Sequence, residues 1–339
     1  MRYIREHGGP DAAGVPLHDF STNANACGPC PTALAALQRA DAVPYPDPQY
    51  VQLRSALARF HGVAPERVLL AASASEFIGR ITAAVARHGG RTASLPAQHY
   101  GDYAQAAQAW QLAQATARQA DLVWCCDPSS PLGQPQDGLG ATIDALADGA
   151  TAVLDLAYEP LRLQGRLALG AAQRDRLWQL WTPNKALGLT GVRGAYAIAP
   201  SPATAQAGAA AAAVLDSVLA LAPSWPLGAH GVAMLESWTT PATQAWLAAS
   251  RDTLRAWRLQ QIALCEFVLG WACEPSSANF LCARPASAEL APLVARLRRH
   301  GIKLRDATSF GLPGVVRLAV LPPAAQAALC AAVFSRASG

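Results

Sequence analysis

The chain reads as an α/β protein, a mostly parallel sheet sandwiched by helices and joined to a smaller α+β domain. Three observations predict this. Short apolar runs alternate with helical patterns from about Arg67 to Pro200. After Pro226 the pattern changes to long amphipathic helix with isolated strands. Finally, 52% apolar residues against 15% charged, over 339 residues, is ample for a large buried core.

The strand-like runs are Val68-Leu69-Leu70-Ala71, Thr92-Ala93-Ser94-Leu95, Leu122-Val123-Trp124-Cys125-Cys126, Ala152-Val153-Leu154 and Ala195-Tyr196-Ala197-Ile198. Helical patterns run near Ser75 to Arg87, Asp102 to Ala113, Ala141 to Ala147 and Gln173 to Leu180. Beyond them lie a long amphipathic stretch from Pro241 to Gly270, a strand at Asn279 to Ala283, a helix from Ser287 to His300 and a strand at Val315 to Val320. We expect a large domain over residues 44–235, and a small domain built from 236–339 with the arm 1–43. Neither an internal repeat nor a low-complexity linker interrupts the pattern.

Composition narrows the function. The formal charge of +4 comes from scattered arginines without a block of like charges, so no nucleic-acid-binding arm is expected. The opening Met1-Arg2-Tyr3-Ile4-Arg5-Glu6-His7 lacks the apolar stretch of a secretory signal. The most apolar segment, Ala207 to Ala222, is interrupted by Asp216 and Ser217 and falls short of the roughly 20 residues of a membrane span. Eight cysteines without dense spacing suit a reducing, cytoplasmic setting. Cys27-Gly28-Pro29-Cys30 has the spelling of a redox pair, yet its approach, Ser21-Thr22-Asn23-Ala24-Asn25-Ala26, is turn material and not a strand; it reads as a Gly-Pro turn. No His/Cys cluster has metal-ligand spacing.

Lysine occurs only twice among 27 Lys plus Arg, and Lys185 lies in Thr182-Pro183-Asn184-Lys185-Ala186-Leu187-Gly188-Leu189-Thr190-Gly191-Val192-Arg193-Gly194. An isolated lysine is ordinarily a solvated charge. Where arginine supplies nearly all the positive charge, a retained lysine offers what guanidinium cannot, an amine that deprotonates and attacks a carbonyl. Three further groups end predicted strands: Asp127-Pro128-Ser129-Ser130-Pro131-Leu132-Gly133, Asp155-Leu156-Ala157-Tyr158, and Ser73-Ala74-Ser75-Glu76, which opens a helix whose free amides favour phosphate.

These are the parts a pyridoxal-phosphate site requires. Lys185 would join the cofactor aldehyde as a Schiff base, and Asp155 would pair with the ring nitrogen. Tyr158 and Ser130 would reach the phenolate oxygen. The amides of Ala74 and Ser75, with Thr182 and Arg193, would receive the phosphate.

In this order and with these intervals the motifs resemble the fold-type I pyridoxal-phosphate enzymes of aminotransferase class I/II, in the group of histidinol-phosphate aminotransferase and threonine-phosphate decarboxylase. The resemblance covers nearly the whole chain. It implies that Tyr45 in Tyr45-Pro46-Asp47-Pro48 reaches the cofactor phosphate of the other subunit of a homodimer. It implies that Asn23, in Asp19-Phe20-Ser21-Thr22-Asn23-Ala24-Asn25, belongs to the substrate site and that Tyr100 stacks on the cofactor. Arg305, in Gly301-Ile302-Lys303-Leu304-Arg305-Asp306, and Arg317, in Val316-Arg317-Leu318, match substrate-binding positions, with the Arg317 fork clamping a carboxylate. The chain departs from the family pattern at Ser130 and Asp127, where asparagines are usual, at Asn184 before the lysine, and at Ser73, where glycine is common. A serine hydroxyl is shorter than an amide, which shifts the phenolate contact toward Tyr158.

The resemblance thus implies an aminotransferase for an amino acid or amino phosphate ester. The opening His7-Gly8-Gly9 before Asp19-Phe20-Ser21 resembles instead the threonine-phosphate decarboxylases of cobalamin synthesis. A binding protein that retains the fold without turnover is a third reading.

Overall fold

The computed structural model describes residues 7–204, 208–286 and 289–335. Its strands, in chain order, are β1 (His18–Asp19), β2 (Val68–Ala71), β3 (Thr92–Ser94), β4 (Ala113–Gln114), β5 (Leu122–Cys126), β6 (Thr151–Asp155), β7 (Trp178–Trp181) and β8 (Ala195–Ile198). They continue with β9 (Ala272–Cys273), β10 (Phe280–Arg284), β11 (Ile302–Lys303), β12 (Arg305–Asp306) and β13 (Val316–Ala319). The first four helices are α1 (Pro31–Gln38), α2 (Val51–His61), α3 (Ala74–Arg87) and α4 (Gly101–Ala109).

Seven strands form the central sheet in the order β2-β8-β7-β6-β5-β3-β4. Neighbours from β7 to β4 are parallel, while β8 runs antiparallel to both β7 and β2. Strands β5 and β6 are buried along their whole length, as continuous apolar runs covered on two faces must be. Alternation along β2 shows the two layers. Val68 and Leu70 pack with α1, α2 and Trp238, whereas Leu69 and Ala71 pack with Phe77, Ile81 and Trp178 on the other face.

The helix expected from Gln173 to Leu180 is a correction. Only Ala171–Arg174 is helical, and Trp178–Trp181 is strand β7, inserted between β6 and β8. Trp178-Gln179-Leu180-Trp181 is aromatic and apolar over four residues, a length at which helical and strand periodicity are hard to tell apart. Smaller shifts accompany it. Helix α4 stops at Ala109 and Ala113 opens β4, while the helix expected to Ala147 spans Leu139–Asp144. The long helix is Pro241–Ala263, continued by a π-helical turn over Leu264–Val268. The helix after β10 spans Leu290–Arg299, and the start expected at Ser287 lies outside the described residues.

The remaining strands form an antiparallel sheet, β12-β13-β10-β9, and a two-residue parallel ladder of β1 with β11. A second core containing Phe20, Trp271, Leu281, Leu297, Leu318 and Leu329 fills the space between this sheet and its helices. Because β2, β5, β6 and β7 run the same way, the segments after Ala71, Cys126, Asp155 and Trp181 emerge at one edge of the central sheet. Ligands of open α/β sheets bind outside that edge. Among the described residues no helix is long and apolar enough to cross a membrane.

Candidate active site

A cavity of about 610 Å³ opens at this edge, within the range of small-ligand sites. It is lined by Asn23, Ala74, Ser75, Tyr100, Ser130, Asp155, Tyr158, Thr182, Lys185, Arg193, Arg305 and Arg317. Every site residue expected from the sequence therefore meets in one cavity except Tyr45. That ring is 78% exposed and stacks on Trp225 with centroids 4.6 Å apart.

The Lys185 loop is held by backbone bonds of its own and by the N-terminal segment. Leu187 N–H donates to the Pro183 carbonyl and Leu189 N–H to that of Asn184, at 2.9 and 2.8 Å. Asn25 N–H donates to the Lys185 carbonyl at 2.9 Å, and the Asn25 amide donates to the Ala186 carbonyl at 3.0 Å. Gly188 has φ +66°, and a Cβ there would lie 2.5 Å from the Gly28 carbonyl oxygen; glycine alone permits both the turn and the close approach. The Lys185 Nζ sits 5.5 Å from the centre of the Tyr158 ring.

Asp155 ends β6 and is 4% exposed. Burial raises the pKa of its carboxyl, opposed by hydrogen bonds from the Tyr103 hydroxyl and the Ala157 amide and by the charge of Lys185. The Tyr103 hydroxyl donates to Asp155 Oδ2 at 2.5 Å, and Ala157 N–H donates to Oδ1 at 2.9 Å.

Helix α3 begins beside the cavity with Ser73 as its cap, the hydroxyl accepting from Glu76 N–H at 3.1 Å. The Ser73 departure thus acts as a helix cap. Amides of Ala74 and Ser75 follow in the first turn, where no intrahelical acceptor exists. The Ser75 and Tyr100 hydroxyls lie 3.3 Å apart. Tyr158, buried, accepts from the Asn23 amide at 3.2 Å.

Arg305 and Arg317 are cross-strand partners on β12 and β13, and both are buried. Arg305 donates to the Ser309 hydroxyl at 2.7 Å and covers the Phe310 ring. Arg317 donates to the Ser21 carbonyl at 3.2 Å and lies over the Phe280 and Phe310 rings. Arg305, Arg317, Lys185 and Arg193 outnumber Asp155 and Asp102 in the cavity lining, which makes it cationic.

A family model for aminotransferase class I and II matches residues 15–333. The chain belongs to this family. Its curated relatives and a cofactor-bound solved neighbour support a pyridoxal-phosphate-dependent transaminase. Histidinol-phosphate aminotransferase 1 of Burkholderia pseudomallei is 28% identical over 321 residues, covering 87% of this chain and 85% of that one. The histidinol-phosphate aminotransferase of Jannaschia sp. is 29% identical over 334 residues, covering 90% and 87%. The crystal structure of histidinol-phosphate aminotransferase from Sinorhizobium meliloti, in complex with pyridoxal-5'-phosphate, superposes with a TM-score of 0.80 at 23% identity over 98% of this chain and 95% of that one. L-threonine-O-3-phosphate decarboxylase from Porphyromonas gingivalis shares the fold with a TM-score of 0.76 at 19% identity, covering 94% and 98%.

The cavity of this aminotransferase-family chain fits the cofactor on its own evidence. Thr182 Oγ1, Asn184 Oδ1, Asn23 Oδ1 and Arg317 Nε are buried without a hydrogen-bond partner among the described residues. Buried polar atoms are normally paired, and capacity left open around one cavity marks a place for a polar ligand. Sequence reasoning did not single out Tyr103, Cys126, Asp102, Gln105, Ser309 or Phe310, all in or beside the cavity. Tyr103 had a signal, a second tyrosine three residues after Tyr100 at the start of α4.

The Asp127 departure is also accounted for. Arg162 donates to Asp127 at 2.5 Å and to Glu159 at 2.7 Å, with the Asp127 and Arg162 side chains almost fully buried. The Cys27 and Cys30 thiols contact separate groups of the long helix, the Ser250 carbonyl at 3.7 Å and the Thr243 hydroxyl at 3.9 Å. Burial raises the Cys27 pKa, which disfavours its thiolate.

Proposed function

We propose that this chain is a pyridoxal-phosphate aminotransferase for an amino acid or an amino phosphate ester. The observation that carries the reading is the convergence, in one cavity, of Lys185, buried Asp155, the N-terminus of α3 and the Arg305–Arg317 pair. When bound, the cofactor supplies an electron sink for charge developing at the substrate α-carbon.

The protein's own groups supply the rest. Lys185 would anchor the cofactor, and its freed nitrogen would carry the proton taken from the substrate α-carbon. Asp155, ionised, would hold a proton on the ring nitrogen. Ala74 and Ser75 amides with Thr182 and Arg193 would receive the phosphate, Ser130 and Tyr158 the phenolate oxygen, and Tyr100 one ring face. Arg317 would clamp the substrate carboxylate, with Arg305 and Asn23 beside it.

The exposed Tyr45–Trp225 stack supports a homodimer in which Tyr45 completes the partner's phosphate site. All eight cysteines are free, which supports a cytoplasmic setting. Residues 44–235 would form the cofactor domain, and 1–43 with 236–339 the small domain. Decarboxylation of a phosphorylated amino acid is the second reading, favoured by His7, which lines the same cavity.

The test is spectral and chemical. Purified protein with pyridoxal phosphate should show a visible absorption band that Lys185→Ala abolishes. A panel of amino acids and their phosphate esters should yield a keto product; carbon dioxide release without one selects the decarboxylase. A band with no conversion of any substrate would refute both enzymatic readings.

A further inference from the structure

One buried hydroxyl beside the cavity has no role in the reading above. Tyr103 is 0% exposed and lies parallel to Trp124, with centroids 4.4 Å apart and planes 9° from parallel. It meets Tyr100 edge-on at 5.9 Å. Packing alone would be met by phenylalanine, which fills nearly the same volume without a polar atom to desolvate. The hydroxyl makes a short bond to Asp155 Oδ2 at 2.5 Å and also meets the Cys126 thiol.

That bond has a geometric consequence. Ala157 N–H takes Oδ1 and Tyr103 takes Oδ2, so the two carboxylate oxygens are held by donors from different elements. A carboxylate gripped at both oxygens cannot rotate about its terminal torsion. Trp124 in turn holds the tyrosine ring from strand β5, next to β6 in the sheet.

We propose that Tyr103 is a positioning residue for the cofactor's ring-nitrogen partner: its hydroxyl, braced by Trp124, fixes the orientation and the ionised state of Asp155. The inference rests on the reading of Asp155 as that partner. It also ties two functions to the start of α4, where the capping residue Tyr100 lines the cavity and Tyr103, three residues on, steadies the acid.

Electrostatics agree. Asp155 is faced by Tyr103 from α4, Cys126 from β5, and Lys185 from the loop after β7. Burial pushes its carboxyl pKa up, and the Tyr103 bond is the largest opposing influence, ahead of the Ala157 amide and the Lys185 charge. Burial and the Asp155 charge hold the Tyr103 phenol far above its ordinary pKa, so it remains a donor. Cys126 is likewise kept a neutral thiol, chiefly by burial.

The test uses Tyr103→Phe, which keeps the ring stack and deletes the donor. In cofactor-free protein, the Asp155 carboxyl followed by carbon-13 NMR against pH should titrate at higher pH in Tyr103→Phe than in wild type, a change that lost packing would not cause. Pyridoxal-phosphate affinity, read by tryptophan fluorescence, should weaken about tenfold or more, the worth of one hydrogen bond to a charged group. In an Asp155→Asn background the same substitution should change affinity less than about twofold, because the two act as a unit. An unmoved titration midpoint, or full additivity of the two substitutions, overturns the proposal. Wild-type protein that bound no pyridoxal phosphate would refute the cofactor reading instead and leave the Asp155 titration to decide the role of Tyr103.

Discussion

Replacing Arg162 by methionine should destabilise the protein through Asp127, a charge 35 residues upstream on the turn that carries Ser130. Arg162 is 6% exposed and Asp127 2%; the arginine bonds Asp127 at 2.5 Å and Glu159 at 2.7 Å, while Gln136 N–H donates to the other Asp127 oxygen at 3.3 Å. Methionine fills much of the space but leaves the Asp127 carboxylate buried without its counter-charge. Removing one partner of such a pair costs about 3–5 kcal/mol. Asp127→Asn alone is milder, because Arg162 keeps Glu159, and a lost charged hydrogen bond costs about 1.5–3 kcal/mol. The informative variant is the double substitution. With asparagine at 127 the fully buried charge is gone and only the more exposed Glu159 loses its partner, so Arg162→Met should cost at least about 1.5 kcal/mol less there than in wild type, by the usual scale of coupling between contacting residues. Urea unfolding of the four proteins at neutral pH gives the cycle. Equal costs of Arg162→Met in both backgrounds would refute the account of Asp127 as one half of a buried ion pair. Since Asp127 N–H also donates to the Asp155 carbonyl at 3.2 Å, the same series should show altered cofactor spectra wherever the turn loosens.

Three other outcomes are expected. Arg317→Gln should raise KM for carboxylate substrates about 10- to 100-fold while leaving the cofactor band in place, since one forked ionic contact is lost; an unchanged KM would remove Arg317 from the substrate site. Co-expressed Tyr45→Ala and Lys185→Ala chains should form mixed dimers with one complete site and recover activity that neither variant has alone, whereas no recovery would place Tyr45 outside the partner's site. His61 should make the protein acid-sensitive. Its Nε2 lies 2.7 Å from the Tyr196 hydroxyl, whose oxygen accepts from Trp238, an arrangement in which a neutral ring can accept the hydroxyl proton. Burial, with the charge of Arg174, lowers its pKa from 6.5 to about 4. A depressed histidine contributes its full stability above the unfolded value and loses it as pH falls from 6.5 toward 4, in all about 3 kcal/mol. The stability difference between wild type and His61→Leu should therefore shrink over that window; a constant difference from pH 7 to 4 would contradict it.

What the sequence made legible follows from where its signals are local. Asp155, Ser130 and Ser75 stand directly after short apolar runs, punctuated by proline, glycine or a helix cap, and parallel pairing carries such positions to one edge wherever the strands lie in the sheet. Lys185 was visible through chemistry, as an amine among arginines. The failures share a different cause. Trp178–Trp181 is too short for its period to show, and its place between β6 and β8 is a property of the sheet. Tyr103 looks like a core aromatic until its hydroxyl partner is known, and that partner lies 52 residues away. Arg162 looks like one more scattered arginine; only the fold brings Asp127 to it across 35 residues. Residues that would touch the cofactor sit at positions set by local pattern, whereas those that hold them in place depend on long-range pairing. The departures point the same way. Where the resemblance implies a neutral amide, Asp127 carries a charge, and the buried Arg162 matches it on the turn beside Ser130. If that compensation holds in the unfolding cycle, the departures from the family pattern alter how the site is braced more than what it can bind.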